Sequence, residues 1–195
     1  MAIAYDDIER FLEKWETRQL RGYIPCDPRN YRGGESKGFK PIGQSGVTIA
    51  TGLDLGQQGP EDLARYGITG ELAEKLSPYL SKTKYSAIEA LRERPLTISD
   101  EECDRINSGV HRDYITRARR KYESFSRLRF PNIPAQAQAV IVSLFYQLGY
   151  PKDYHRVWIE LSVGDWTGAA KTLREDSSRY KLRRWDEAEL LESIE

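Results

Sequence analysis

Hydrophobic positions near the start of the chain recur at helical spacing. Four apolar residues fall at i, i+3, i+4 and i+7 and therefore share one helix face: Ile8, Phe11, Leu12 and Trp15. Asp6 or Asp7 can cap this helix at its N-terminus, because aspartate is among the preferred capping residues. We expect the helix to end near Glu16 and Thr17.

Glycines and prolines then interrupt the helical pattern between Arg21 and Gly59. Two fragments of this region favour β-strands: Tyr23-Ile24 and Val47 to Thr51. A small antiparallel sheet is the natural way to pair their backbone groups. The segment from Asn30 to Lys40 has three glycines and mixed charge, which indicates an exposed insertion.

After Gly59 the pattern returns to helix, with Pro60 placed for a first helical turn. Short helices are predicted over Glu61 to Tyr66, Leu72 to Leu80 and Tyr85 to Leu91. Ser99, followed by Glu102, forms a capping-box signature and predicts a helix that runs to about Tyr122.

The most apolar segment of the chain is PAQAQAVIVSLFYQLG, from Pro134 to Gly149. It predicts a buried central helix that Gly149 closes as a C-terminal cap. Further helical segments are predicted over Val157 to Leu161, Trp166 to Arg174 and Arg184 to Ile194. The whole pattern predicts an α+β fold, mostly helical, with one small sheet near the N-terminus.

Composition narrows the classes of protein to which the chain can belong. Its 195 residues make one domain the default. Thirty basic and thirty acidic residues give a formal net charge of zero, so no global field attracts nucleic acid or an anionic membrane. Arg117 to Lys121 and Lys181 to Arg184 are the local candidates for binding a polyanion, and we interpret the first as a solvated helix face.

The spacing of the cysteines and the composition of the N-terminus further narrow the classes of protein to which the chain can belong. Cys26 and Cys103 lie far apart and predict neither a metal site nor a disulfide framework, although a single bridge stays open. The opening MAIAYDDIERFLEKWE lacks the regions of a signal peptide, and no stretch has the about 18 apolar residues of a membrane span. We expect a monomer made in the cytoplasm, with no cofactor, no metal and no nucleic-acid partner.

The strand after Ser45 leads into a glycine-bounded turn and carries polar side chains of one parity. Strand alternation places one set of residues on an apolar face: Val47, Ile49 and Thr51. It places the other set toward a cleft: Thr48, Ala50 and, past the turn, Asp54. Gly46 and Gly52 would leave room there for a ligand.

This pattern of side chains suits the cleavage of a glycosidic bond. Such cleavage needs a proton donor for the leaving oxygen and a second carboxylate that attacks the anomeric carbon or activates water. Glu16, beside Trp15 at the end of an apolar helix, suits the donor, because apolar surroundings favour the protonated acid. Asp54 suits the ionised carboxylate, and the Thr48 hydroxyl could hold the water. A solvated charge at Glu16 and a turn-forming Asp54 are the alternatives.

Two stretches carry a resemblance to a known family: FLEKWETRQLRGYIP and SGVTIATGLDLGQ. In them Glu16 precedes Tyr23 by seven residues and Thr48 precedes Asp54 by six. The motifs resemble those of the catalytic domain of pesticin and related bacterial toxins, which are similar to the lysozymes of T-even phages. PAQAQAVIVSLFYQLG, GDWTGAAKTLRE and YKLRRWDEAELL extend the resemblance over most of the chain.

Three positions depart from the family pattern. Thr17 stands where glycine is usual, TIATG replaces TIGYG or TIGTG, and Gln147 stands where asparagine is common. The first two departures touch the expected cleft and bear on substrate fit. Asp27 is the competing second carboxylate, because in phage lysozymes that residue follows the tyrosine closely. The DLG triplet favours Asp54.

The resemblance implies one lysozyme-like domain over residues 1–195, with a sheet lobe at about 17–60 and a helical lobe at about 61–195 plus the first helix. It implies a muramidase with Glu16 as the general acid, Asp54 as the catalytic carboxylate and Thr48 positioning water. Four residues would contact the glycan strands of peptidoglycan: Tyr23, Gln57, Gln147 and Arg183. Ion pairs at the edge of the core are the alternative for Arg183 and Arg184.

Other functions remain open at this point. A lytic transglycosylase uses the glutamate alone and forms an anhydro product, and a non-catalytic relative would bind the cell wall or a partner. Thr48 and Asp54 favour hydrolysis. We expect an antibacterial effector or an endolysin that acts in the periplasm after delivery. Secretion machinery and an immunity or inhibitor protein are the further partners expected.

Overall fold

The computed structural model describes residues 2–26, 41–149, 154–178 and 180–194. The predicted insertion from 30 to 40 and the competing carboxylate Asp27 lie outside these ranges. The chain forms two compact units, which we call the helical unit (Met1–Trp15 with Arg112–Glu195) and the sheet unit (Glu16–His111). The prediction of a single lysozyme-like domain with two lobes stays a prediction.

Helices dominate both units. The described elements are α1 (Tyr5–Trp15), β1 (Gln19–Tyr23), β2 (Thr48–Ala50), β3 (Leu53–Asp54), α2 (Pro60–Arg65), α3 (Glu71–Leu76), α4 (Lys84–Glu93), α5 (Asp100–Glu123), α6 (Ala135–Leu148), α7 (His155–Val163), α8 (Trp166–Arg174) and α9 (Lys181–Glu192). Short 3₁₀ helices occur at Leu55–Gln57, Ser77–Tyr79 and Phe130–Asn132. The predicted class, α+β and mostly helical with a small antiparallel sheet, is confirmed. None of the helices in the described ranges is long and apolar enough to cross a bilayer.

Helix α6 is the buried centre of the helical unit, as its apolar sequence predicts. All residues of this helix from Ala137 to Leu144 are buried. The apolar residues of this stretch belong to one hydrophobic core with side chains from other segments of this unit, among them Ile8, Leu12, Tyr122, Trp158, Leu173 and Leu191. Gly149 ends the helix with a φ of +67°, a conformation that favours glycine. The predicted central helix and its glycine cap are therefore confirmed.

The apolar stripe of α1 packs into this core. Ile8 and Leu12 are fully buried, and Phe11 packs against the core while partly buried. The predicted cap at Asp6 or Asp7 is wrong, because the helix begins at Tyr5 and both aspartates lie inside its first turn. Their negative charges there favour the helix through its dipole.

The sheet unit holds three antiparallel strands in the order β1-β2-β3. Thr48, on the central strand, pairs with Tyr23 on β1 and with Asp54 on β3. A bridge from Arg21 to Thr97 covers part of the outer edge of β1. This register places three of the predicted site residues side by side.

The strand boundaries differ from those predicted for a local reason. Strand β1 begins at Gln19, ahead of the predicted Tyr23-Ile24 fragment. Strand β2 ends at Ala50 instead of Thr51. Ala50 has a φ of +56°, in the left-handed region, and an extended strand cannot continue through that conformation.

Two predicted helix starts are confirmed. Pro60 is the first residue of α2. At the start of α5 the Ser99 hydroxyl accepts a hydrogen bond from the Glu102 N–H at 3.1 Å, and the Glu102 carboxylate accepts from the Ser99 N–H at 2.8 Å. The part of α5 up to His111 belongs to the sheet unit.

Both cysteines of the sheet unit are free thiols. Cys103 lies on α5 and is fully buried, whereas Cys26 is partly exposed. The single bridge that the sequence left open is not formed.

Candidate active site

The β2–β3 hairpin places Thr48 and Asp54 on one face of the sheet. Their Cα atoms are partners across the two strands. The Leu55 N–H donates to the Val47 carbonyl at 2.8 Å. Because hydrogen-bonded and non-hydrogen-bonded pairs alternate, the neighbouring pair of Thr48 and Asp54 is a non-hydrogen-bonded pair, whose side chains are closely spaced. Strand alternation therefore predicts this pairing correctly, although a turn separates the two residues.

Backbone N–H groups hold the Asp54 carboxylate. The Gly56 N–H donates to its Oδ1 at 2.9 Å, and the Gly46 N–H donates to the same oxygen at 3.1 Å. The Gln57 N–H is a further donor. Asp54 also caps the short 3₁₀ helix that follows it. The turn-forming role is thus real, and the same donors orient the carboxylate for chemistry.

Gly46 and Gly56 allow three backbone segments to meet beside Asp54. A β-carbon on Gly56 would lie 2.4 Å from the Lys82 carbonyl oxygen, and one on Gly46 would lie 2.5 Å from it. Side-chain carbons do not approach an oxygen so closely, so both positions require glycine. The expectation that Gly46 leaves room for a ligand is wrong, because protein backbone occupies that space.

The environment of Asp54 changes its proton affinity. Burial raises the pKa of the carboxyl group above its ordinary value. The N–H donors of Gly46, Gly56 and Gln57 oppose this rise, because they stabilise the ionised form. The net upward shift makes Asp54 a better proton acceptor than a solvated aspartate, which is what a general base requires.

Thr48 presents a buried hydroxyl next to this carboxylate. Only 3% of its surface is exposed, and its Oγ1 has no hydrogen-bond partner within the described ranges. Proteins rarely leave a buried hydroxyl without a partner, because the loss of hydration costs about 1–3 kcal/mol. The group keeps one donor and two acceptor sites for a small polar molecule.

The expectation that Thr48 and Ala50 line an open cleft is wrong. Both residues are buried. The side chains of Tyr23 and Asp54, the cross-strand neighbours of Thr48, are close enough to shield it. Ala50 leaves the strand at its positive φ, so the alternation that would place it beside Thr48 ends there.

Glu16 lies beside the turn of the same hairpin. It follows α1 directly and is partly buried. Its Oε2 lies 3.6 Å from the position that a β-carbon on Gly52 would take. Gly52 is exposed and has a φ of +94°. The hairpin that carries Thr48 and Asp54 therefore has its turn next to the predicted proton donor.

Burial and two nearby carboxylates raise the pKa of the Tyr23 phenol. Burial raises the pKa of its phenol, and the negative charges of Glu16 and Asp54 raise it further. Both acids must lie near this ring, since the interaction between charges weakens with distance. The phenol stays protonated at neutral pH, and with 39% of the residue exposed it can donate a hydrogen bond to a ligand.

The sequence from residue 7 to residue 167 matches one family model, named Pesticin and described as the C-terminal part of a bacterial toxin homologue of phage lysozyme. This chain belongs to the Pesticin family. The resemblance seen in the motifs around Glu16, Thr48 and Asp54 is thereby confirmed. No curated protein matches the chain.

In this Pesticin-family chain the predicted substrate contacts lie in different units. Tyr23 and Gln57 lie in the sheet unit with Glu16 and Asp54. Gln57 is exposed, and its side-chain Nε2 donates to the Gln44 carbonyl at 2.8 Å. A contact between this amide and substrate stays a prediction.

Gln147 and Arg183 lie in the helical unit, on α6 and α9. Arg183 is only 4% exposed, and its Nε donates to the Ser143 hydroxyl at 3.1 Å. Arg184 donates to Gln147 Oε1 at 2.5 Å and to the fully buried Glu187 carboxylate at 2.9 Å. Buried charges need such partners. These contacts favour the ion-pair alternative for both arginines, and substrate binding by Gln147 and Arg183 stays a prediction.

Within the described part of the chain, no group of three or more histidine, cysteine, aspartate or glutamate side chains is arranged to hold a metal ion. The polar groups that the sheet unit brings together are two carboxyl groups, a hydroxyl and a phenol. Such groups are suited to proton transfer and to hydrogen bonding with a sugar.

The groups on α5 that support the turn are not among the residues predicted from the sequence. The Thr51 hydroxyl donates to Asn107 Oδ1 at 2.8 Å, and the Thr51 N–H donates to the same oxygen at 3.2 Å. His111 Nε2 lies 3.5 Å from the Thr51 hydroxyl. A signal was present: four polar residues of α5 recur at i, i+4, i+7 and i+11, namely Asp100, Asp104, Asn107 and His111.

His111 is expected to make the protein less stable in acid. Burial lowers the pKa of its imidazole to about 4. Between about pH 6.5 and about pH 4 the unfolded chain binds a proton that the folded chain does not, so stability is lost as the pH falls. The expected loss is about 3 kcal/mol in the free energy of unfolding. Urea denaturation across this pH range measures it.

The variant His111→Gln separates this effect from the titration of carboxyl groups. Glutamine stays neutral, so the variant should lose less stability than the parent over the same pH range. Parallel pH dependences for the two proteins would contradict an uncharged buried His111.

Proposed function

We propose that the protein is a muramidase, a glycosidase that hydrolyses the β-1,4 bond between N-acetylmuramic acid and N-acetylglucosamine in peptidoglycan. One observation carries the proposal: the hairpin that pairs Thr48 with Asp54 has its Gly52 turn beside the Glu16 carboxyl group. A proton donor and a second carboxylate are the two groups that glycoside hydrolysis requires. Membership of a family related to phage lysozyme supports a lysozyme-like role on peptidoglycan.

The reaction assigns one proton transfer to each acid. Glu16 donates its proton to the glycosidic oxygen as the bond from that oxygen to the anomeric carbon breaks. Asp54 accepts a proton from a water molecule as the water oxygen bonds to the anomeric carbon. Glu16 is left as a carboxylate and Asp54 as a carboxylic acid, and solvent then restores both.

Thr48 and the backbone donors assist the step in which Asp54 activates water. The Thr48 hydroxyl, which has no partner among the residues that the structure describes, lies beside Asp54 and can hold the attacking water. Gly46 and Gly56 fix the orientation of the Asp54 carboxylate, so little reorganisation is needed when the proton moves. The pairing of Thr48 with Asp54 therefore favours hydrolysis over transglycosylation, which would not need them.

The same arrangement favours inversion at the anomeric carbon. The Thr48 hydroxyl beside Asp54 suits a bound water that Asp54 activates as a base, and attack by this water on the face opposite the leaving group inverts the configuration. An inverting enzyme places its two carboxyl groups roughly 6.5 to 9.5 Å apart so that a water fits between them, whereas a retaining enzyme places them about 5 Å apart.

Digestion of purified peptidoglycan tests the proposal. We expect soluble fragments with reducing ends by mass spectrometry, and NMR of the fresh product should show the α-anomer first. Anhydro ends, which are lighter by one water, would replace the hydrolase with a lytic transglycosylase. A protein that binds the wall and releases no fragments would be a non-catalytic relative.

The biological role that we propose is that of an antibacterial effector or an endolysin. The family description, a bacterial toxin homologue of phage lysozyme, supports both. Either role requires access to the cell wall, so protein exported to the periplasm of a test bacterium should cause lysis, and protein kept in the cytosol should not. Equal toxicity in both compartments would contradict action on the wall.

An immunity or inhibitor protein that protects the wall would bind over the proposed site, at the exposed Gly52 turn and Tyr23.

A further inference from the structure

Helix α5 presents a row of polar side chains to the segments that carry the site. Asp100, Asp104, Asn107 and His111 follow one another at i, i+4, i+7 and i+11, so they share one face of the helix. Asn107 and His111 are buried, with 4% and 1% of their surfaces exposed. Buried polar residues on a helix need partners, and these partners lie in the loops next to the catalytic groups.

One end of this row fastens the chain just after Glu16. Arg18 donates to Asp104 Oδ1 at 2.6 Å and to Asp100 Oδ1 at 2.9 Å. The same guanidinium group donates to the Asp100 backbone carbonyl at 2.9 Å. A planar guanidinium held at several points has a fixed orientation, so the backbone that leaves Glu16 is tied to the first turn of α5.

The other end of the row fastens the β2–β3 turn. Asn107 Oδ1 accepts two hydrogen bonds from Thr51, one from the backbone N–H and one from the hydroxyl. The Asn107 Nδ2 faces the Cys103 sulfur at 3.7 Å, which sets the orientation of the amide. Thr51 itself is 4% exposed. Both hydrogen-bond donors of Thr51, its backbone N–H and its hydroxyl, thus bind one buried acceptor on α5.

The turn needs such support because its backbone is unfavourable. Ala50, directly before Thr51, has a φ of +56°, which costs energy for a residue with a β-carbon. Gly52, directly after it, lies beside the Glu16 carboxyl group. A turn that relaxed toward an ordinary conformation would move Gly52 away from Glu16 and alter the register of Thr48 with Asp54.

We propose that Asn107 is a positioning residue for the reaction, and that through Thr51 it holds the β2–β3 turn at the distance from Glu16 that catalysis needs. This inference rests on the proposed muramidase function. Asn107 touches neither substrate nor the reacting atoms in this scheme. His111, uncharged because burial lowers the pKa of its imidazole to about 4, extends the same support to the Thr51 hydroxyl.

Two disruptive substitutions, one conservative substitution and a double variant test the proposal. Asn107→Ala removes the shared acceptor, and Thr51→Val removes the hydroxyl while keeping the shape of the side chain. Each should lower kcat toward the roughly 100-fold loss that a misplacement of about 1 Å can cause, with KM unchanged. Thr51→Ser keeps the hydroxyl and should restore most of kcat. The double variant should lose little more than Asn107→Ala alone, because both changes break one connection.

A matched control separates positioning from general loss of stability. Ile106→Val alters a fully buried residue next to Asn107 on α5 and leaves the Thr51 contacts in place. It should lower the melting temperature and keep kcat. If Thr51→Val and Asn107→Ala stay folded with the kcat of the parent, the positioning role is overturned while the muramidase function stands. A folded parent protein that releases no fragments from peptidoglycan would overturn both.

Discussion

Replacing Glu16 with glutamine is expected to lower the rate of peptidoglycan hydrolysis by about 10²- to 10⁴-fold, because the amide cannot donate a proton to the leaving oxygen. The side chain keeps its size, so its place beside Gly52 and the fold should persist. The release of reducing ends from purified peptidoglycan measures the rate. Thermal unfolding of the same sample confirms that the variant is folded.

Glu13→Gln is the matched control for this variant. Glu13 is exposed on α1, three residues before Glu16, and has no place in the proposed reaction. It should keep full activity and full lytic effect in the periplasm, whereas Glu16→Gln should lose both. Wall-degrading activity of a purified Glu16→Gln protein at the level of the parent would eliminate the assigned acid.

Replacing Asp54 with asparagine should have an effect on rate of similar size, about 10²- to 10⁴-fold, because the amide cannot accept a proton from water. It should not lower the free energy of unfolding at neutral pH. Burial outweighs the backbone donors and raises the pKa of the carboxyl group, so the ionised side chain is a cost to the folded state that the neutral amide removes. Activity and urea denaturation should be measured on the same preparation.

Asp62→Asn is the matched control for this variant. Asp62 also accepts a backbone N–H, from Gly59 at 2.7 Å, but it lies at the start of α2 and outside the proposed chemistry. It should keep the catalytic rate of the parent. An active Asp54→Asn protein would instead assign the base to another group, with Asp27 the first to test.

The local parts of the site could be predicted from the sequence because strand and helix periodicity are local properties. The parity of Thr48 and Asp54 survives the intervening turn, since the pairing of Ile49 with Leu53 closes the hairpin symmetrically. The predicted orientation of Ala50 is wrong, because the residue has a positive φ and leaves the extended strand. Nothing in the sequence signals this conformation, since residues with a β-carbon rarely adopt it.

Contacts between distant segments could not be predicted in this way. The Lys82 carbonyl meets Gly46 and Gly56, and Asn107 meets Thr51, across separations at which one sequence carries no pairing signal. The sequence shows Gly46 and Gly56, but it does not show which group occupies the space beside them. A close backbone crossing and a ligand pocket both select glycine.

The same ambiguity affects the arginines of α9. A sequence shows Arg183 and Arg184 as two charges on one helix, and such charges serve equally as ligand contacts or as members of an internal network. Burial decides between these uses: Arg184 is fully buried with Glu187, an arrangement that depends on the packing of α9 against α6.

The donors that hold Asp54 belong to the peptide backbone, and this limits how the proposed site can adapt. Amide hydrogens at positions 46, 56 and 57 survive every substitution there except proline. Substitutions can therefore change these donors only by displacing main-chain segments, a route closed to small steps where Gly46 and Gly56 are already in contact. Lineages that shift their working pH should change the side chains that bury Asp54 and keep the main-chain donors.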